Sequence, residues 1–153
     1  MKIAVGNDHR GVAVKQRLED MLKSLGHTVD DFGATSAASV DYPDFAIPVA
    51  EAVASGKDDR GLLICATGHG MCIAANKVKG VRAALAHDEL TAQISRTHND
   101  TNVLCLSADL LGQRLIEKVV DVWLTTEFQG GRHERRLKEI EAIERGDDPS
   151  RLG

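Results

Sequence analysis

The sequence predicts an α/β fold in three layers, αβα, with helices on both faces of a five-stranded parallel sheet. Three observations carry that expectation. Short apolar runs recur along the 153 residues, each followed by a glycine or polar turn and then by apolar residues at helical spacing. The run Leu62-Leu63-Ile64-Cys65 shows no alternation, as befits a central strand covered on both faces. Right-handed crossovers between parallel strands place the intervening helices above and below such a sheet.

Taken in order, Lys2 to Gly6 reads as a strand and Asn7 to Gly11 as a polar loop. A helix follows, with Val12, Leu18, Met21, Leu22 and Leu25 on its apolar face, and Gly26 ends it. Thr28 to Gly33 reads as a second strand, leading into a loop with Asp41, Tyr42 and Pro43. Asp44 to Ser55 is helical, which requires Pro48 to lie in the first turn if the helix is regular. Gly56 to Arg60 is a polar turn. The stretch from Gly61 to Gly80 then organises the chain: strand Leu62 to Cys65, a turn through Thr67, Gly68, His69 and Gly70, and a helix from Met71 to Lys77. Val81 to Ala86 is the fourth strand, His87 to His98 a helix, and Val103 to Ser107 the fifth strand. Helix Leu110 to Leu124 carries an apolar stripe at Leu111, Leu115, Ile116, Val119, Val120 and Trp123. After Gly130-Gly131, a charged helix from Arg132 to Arg145 has only Leu137, Ile140 and Ile143 as its seam and is expected to pack on a partner subunit. One domain spans 1–145, and Gly146 to Gly153 reads as a loosely held tail.

Composition excludes several function classes. Nineteen Lys and Arg against 23 Asp and Glu give a net charge of -4, so nothing global points to nucleic acid or an acidic membrane surface. Any basic site must be local. Cys65, Cys72 and Cys105 are odd in number and form no C-x-x-C, which reads as a reduced, cytoplasmic protein rather than a disulfide framework. Met1 runs straight into a strand, and no apolar segment has the length of a signal peptide or membrane span.

Cys65 stands at the carboxyl end of its strand, where open α/β sheets bind ligands, and its sulfur faces the start of the next helix, a placement that favours a thiolate. A small buried hydrophobe is the plainer reading of the same residue. The plain reading is kept for Cys72 and Cys105, inside a helix and a strand. His27 and His87 read as solvated, whereas His9, His69, His98 and His133 fall at strand or helix ends where catalytic groups concentrate. Arg132 and Arg136 share a helix face beside His133, either as a solvated charged face or as a phosphate clamp. Gly6 to Gly11 is no triphosphate loop, since Val12 and Ala13 stand where Lys and Ser or Thr are required. Neither glycine turn has G-x-G-x-x-G spacing, and without H-E-x-x-H or C-x-x-C no zinc motif is present.

Laid side by side, Cys65-Ala66-Thr67-Gly68-His69-Gly70, Ala74-Ala75-Asn76-Lys77, Arg96-Thr97-His98-Asn99-Asp100-Thr101-Asn102 and Gly130-Gly131-Arg132-His133 resemble the type B ribose-5-phosphate isomerases and the related galactose-6-phosphate isomerase subunits. The resemblance runs from Lys2 to about Arg145. It implies a metal-free and cofactor-free aldose–ketose isomerase of Rossmann-like fold that acts on a small sugar phosphate, with no nucleic acid or membrane partner. It also implies a homodimer or homotetramer with interfacial active sites. By resemblance Cys65 is the base between sugar carbons 2 and 1, and His98 the acid that opens the furanose ring. Thr67, Gly68, His69 and Gly70 cradle the enediolate, with Thr67 counted among the catalytic groups. Asp8, His9, Tyr42, Ala66 and Asn99 contact the sugar, and Arg132 and Arg136 bind the phosphate. Two positions depart from the family pattern. Ala66 replaces the usual glycine, a mild change at negative φ. Asp109 stands where many members carry a phosphate-binding arginine, and its carboxylate would repel a phosphate unless it points away.

Overall fold

The computed structural model describes residues 1–151. Strands β1 (Lys2–Asn7), β2 (Thr28–Asp31), β3 (Arg60–Cys65), β4 (Ala83–Leu85) and β5 (Val103–Ser107) form one parallel sheet in the order β2-β1-β3-β5-β4. Between and after them run α1 (Val12–Ser24), α2 (Pro43–Ala54), α3 (His69–Ala75), α4 (Glu89–Asn99), α5 (Gln113–Thr125) and α6 (Arg132–Arg145). A 3-10 turn at Pro149–Arg151 closes the described chain; Leu152 and Gly153, the end of the expected tail, lie outside the described residues.

Because successive strand residues point to opposite faces, the buried strands divide their side chains between two cores. Ile3, Val5, Leu62, Ile64, Leu104 and Leu106 pack with residues of α1, α4 and α5, among them Leu18, Leu22, Ala92 and Trp123. Ala4, Leu63, Cys65, Val103 and Cys105 face α2 and α3, where Val49, Val53, Met71 and Ala75 meet them. Burial of each of the larger aliphatic side chains contributes about 1.5–3 kcal/mol. Truncating a fully buried strand leucine such as Leu104 would therefore cost more than its transfer energy, through the cavity it leaves.

The elements match the expected ones in number and order, with shifts at their ends. Helix α2 begins at Pro43, whose fixed φ suits the first helical position, so Pro48 sits in the second turn rather than the first. The carbonyl it leaves without an N–H belongs to Asp44, which is exposed and open to water. Leu110 lies in a turn held by its N–H to Ser107 Oγ (3.0 Å), which delays α5 until Gln113. In α6 only Leu137 of the expected seam is buried, while Ile140 and Ile143 are 42% and 62% exposed.

Chain direction sets the site. From β1 the chain crosses to β2 on one side and then returns to β3 on the other, which makes the carboxyl ends of β1 and β3 a topological switch point. Asn7 pairs with Ile64 and Cys65 with Ser107, so β1, β3 and β5 end level with one another.

Candidate active site

Cys65 ends β3 with 5% of its surface exposed, facing α2 and α3. The chain then turns through Ala66 and Thr67 to Gly68, whose φ of 81° is the left-handed conformation that glycine adopts without penalty. Ala66 is not among the positive-φ residues, so its methyl group is tolerated as expected. The turn brings the Gly68 N–H onto Cys65 Sγ at 3.2 Å and holds the sulfur as an acceptor. This changes the expected cradle. Gly68 donates to the sulfur and His69 to Thr67 Oγ1 (3.4 Å), which leaves the N–H groups of Thr67 and Gly70 without a partner among the described residues. Helix α3 starts at His69, two residues earlier than expected, and is only seven residues long.

Other expected contacts gather at this edge. Asp8 is buried, and its Oδ1 accepts the Arg10 N–H at 2.8 Å, an Asx turn that shapes the loop after β1. His9 Nδ1 accepts the Val40 N–H (3.3 Å), so the neutral ring carries its proton on Nε2. Tyr42 lies against Gly70: a Cβ there would stand 2.7 Å from the ring, so glycine is needed for this approach. The loop between β2 and α2 is pinned by residues that sequence reasoning missed. Asn7 Nδ2 and the buried Lys15 Nζ both donate to the Ala34 carbonyl (3.2 and 3.3 Å), and Lys15 also pairs with Asp31 at 2.7 Å. A lysine buried on a helix face carries no periodic signal that separates it from a solvated one.

His98, Asn99, Arg132 and Arg136 lie elsewhere. Helix α4 connects parallel strands and so runs back across the sheet, which puts His98 and Asn99 at its amino edge. The Asn99 carbonyl there accepts from Arg82 Nε at 3.0 Å, just before β4. Cys65 is level with Ser107, four residues beyond Val103 on β5, so the two edges are about 13 Å apart along the strands. The faces differ as well, α4 lying over one core and Cys65 in the other. At the amino edge His98 stacks on His133, ring centroids 4.1 Å apart and 13° from parallel. Burial is the largest influence on His133 and holds its pKa below the ordinary histidine range, helped by His98, Arg132 and Arg136. Both arginines are exposed at the first turns of α6. Asp100, at φ 43°, caps α4 and takes Arg96 Nη1 (2.7 Å) and Arg82 Nη2 (3.0 Å), bracing the turn that presents His98.

Asp109 does not stand bare. Arg10 grips its carboxylate with two nitrogens, Nη2 at 2.9 Å and Nε at 3.2 Å, and the carboxylate raises the Arg10 pKa. Two readings of the other side chains change. Cys72 is half-buried rather than core, and its pKa falls to about 7, chiefly through a hydrogen bond from Cys105. Cys105, fully buried, is pushed well up. His27 is half-buried, its Nδ1 3.3 Å from the amino-terminal nitrogen, while His87 is exposed as expected. Among the described residues, no three of His, Cys, Asp and Glu converge to share a metal ion, and no helix is long and apolar enough to cross a membrane.

The sequence profile described as Ribose/Galactose Isomerase matches residues 3–140. The chain belongs to the ribose/galactose isomerase family. Ribose-5-phosphate isomerase B of Escherichia coli is 46% identical over 143 residues, covering 94% of this chain and 96% of that protein. D-erythrulose-4-phosphate isomerase of Pectobacterium atrosepticum is 39% identical over 141 residues, 92% and 93% of the two chains. The solved structure of Clostridium thermocellum ribose-5-phosphate isomerase B superposes with a TM-score of 0.94 at 51% identity, covering 95% of this chain and 99% of that one. The resemblance read from the motifs is thus borne out, as are the five-stranded parallel αβα fold and the aldose–ketose isomerase class.

Proposed function

We propose that this member of the family interconverts ribose 5-phosphate and ribulose 5-phosphate in the cytoplasm, as a homodimer or homotetramer whose active sites join two subunits. The observation that carries the reading is Cys65 Sγ, held by the Gly68 N–H at the switch point of the sheet, beside Thr67 and Gly70 N–H groups with no partner among the described residues. A proton-transferring base needs such a fixed position, and a developing oxyanion needs preorganised donors. His98 opens the furanose ring as an acid. Cys65 then removes the proton from carbon 2 of the open aldose and returns it at carbon 1, while the proton of the carbon-2 hydroxyl passes to the carbon-1 oxygen, so the carbonyl moves through an enediolate. Asp8, His9, Tyr42 and Ala66 border the sugar, and Arg132 and Arg136 hold the phosphate.

The separation of Cys65 from His98 within one chain supports the interfacial arrangement, because one subunit's carboxyl edge must meet another's amino edge to bring these groups together. The exposed Ile140 and Ile143 of α6 supply an apolar surface for that contact. Beside them a groove of about 380 Å³ reaches Asn99 and Arg82. Three free cysteines fit a reducing compartment.

A four-carbon substrate is the second reading, favoured by the likeness to an erythrulose-phosphate isomerase. Aldose phosphates of four, five and six carbons, incubated with the purified protein in EDTA, separate the two. Ribose 5-phosphate should give the highest kcat/KM. No ketose from any of them would sink the isomerase assignment, and a clear preference for the tetrose would replace the substrate.

A further inference from the structure

Arg10 follows β1 and Asp109 follows β5, the two strands that flank β3. Asp109 Oδ1 accepts from Arg10 Nη2 at 2.9 Å and Nε at 3.2 Å, and Oδ2 accepts from Nε at 3.2 Å. The ion pair therefore bridges the carboxyl end of β3. One anchor lies at the Cys65 turn, where the Asp109 N–H donates to the Ala66 carbonyl (3.1 Å), and the other in the loop after β1, where the Arg10 N–H donates to Asp8 Oδ1 (2.8 Å). With side chains 54% and 35% exposed, such a pair contributes little to folding. What it does is fix a guanidinium plane at the mouth of the site. Nε and Nη2 are engaged, whereas Nη1 has no partner among the described residues. An arginine tied along one edge presents its remaining N–H groups in a set direction, the geometry in which guanidinium takes phosphate oxygens.

We propose that Arg10, aimed by Asp109, is a phosphate-recognising residue of the Cys65 edge, its free Nη1 donating to the phosphorylated sugar. Asp109 is the positioning residue. The inference rests on the reading of the substrate as a sugar phosphate and adds to it a determinant contributed by the β1 loop.

The rival is a strap that merely ties two loops together, and the two accounts differ in a double-mutant cycle. As a strap, Arg10→Ala, Asp109→Ala and the double variant would lose the same amount, since each breaks one contact. As a phosphate reader, Arg10→Ala should be the worst of the three, because it removes the cation and leaves the Asp109 carboxylate unpaired at the mouth. Deleting that carboxylate as well should then recover part of the loss. The expected changes in KM for ribose 5-phosphate are about tenfold or more upward for Arg10→Ala and at most about threefold for Asp109→Ala, with the double variant between and kcat within about twofold throughout. Inorganic phosphate as a competing ligand should lose affinity with KM in Arg10→Ala. Calorimetric titration of ribose 5-phosphate gives the same ranking without requiring turnover. A wild type that binds ribose 5-phosphate but does not turn it over would sink the isomerase reading alone. Equal losses in all three variants, an Arg10→Ala affinity within twofold of wild type, an unchanged inorganic-phosphate constant, or no binding by the wild type would each overturn the role of Arg10.

Discussion

Three cysteines on one side of the sheet show how little residue type alone decides. Cys65 and Cys105 both point from buried strands into the core under α2 and α3, yet only Cys65 ends its strand at a glycine turn that offers an N–H to the sulfur. Cys72, one helical turn further, has Asn76 Nδ2 at 3.6 Å and the Ala83 carbonyl at 3.5 Å, with its pKa lowered to about 7. Reactivity toward alkylating agents follows thiolate fraction and access. At pH 7.5 iodoacetamide should therefore carbamidomethylate Cys72 ahead of Cys105, read by peptide mass mapping, and Cys72→Ala should keep its turnover. Cys65→Ala should abolish turnover while leaving the melting temperature within a few degrees, since it removes one small buried atom. Retained activity in Cys65→Ala would reject the base assignment. Equal labelling of Cys72 and Cys105 would contradict the ionisation ascribed to their contact.

At the scale of elements, the helix starts and the strand ends were legible because glycine, proline and apolar runs act locally. The join between α4 and α6 was not. His98 and His133 stack although 35 positions separate them, and only the return of α5 to the amino edge of the sheet brings them together. Their contact makes a prediction with a definite sign. The folded state holds His133 below its ordinary pKa, so the unfolded chain takes up the proton first. The resulting stability is intact above about pH 6.5 and declines as the pH falls below it. His133→Gln should flatten the fall in melting temperature between pH 7.5 and 5.5, and an unchanged slope would mean that His133 does not titrate differently on folding.

The whole molecule settles what neither residues nor elements could. Motif residues implied one site, but the topology distributes them over two edges: Asp8, His9, Tyr42 and Cys65 at the carboxyl ends of the strands, and His98, Asn99, Arg132 and Arg136 at the amino ends. Strand order is a long-range property with no periodic signature, so this division could not be read from the chain. If two copies complete each other's sites, the parts must be separable by mutation. Cys65→Ala and His98→Asn should each be impaired in every site as pure homodimers, the first without the proposed base and the second without the proposed ring-opening acid. After mixing, unfolding and refolding together, half of the dimers are mixed, and each mixed dimer has one site with both losses and one site with neither. Activity on ribose 5-phosphate should then rise to about a quarter of the wild-type value, above the mean of the two parents. Sedimentation should show one assembly size throughout. Activity no higher than that parental mean, in a refolded mixture shown by mass spectrometry to contain mixed dimers, would place Cys65 and His98 in sites that do not cooperate.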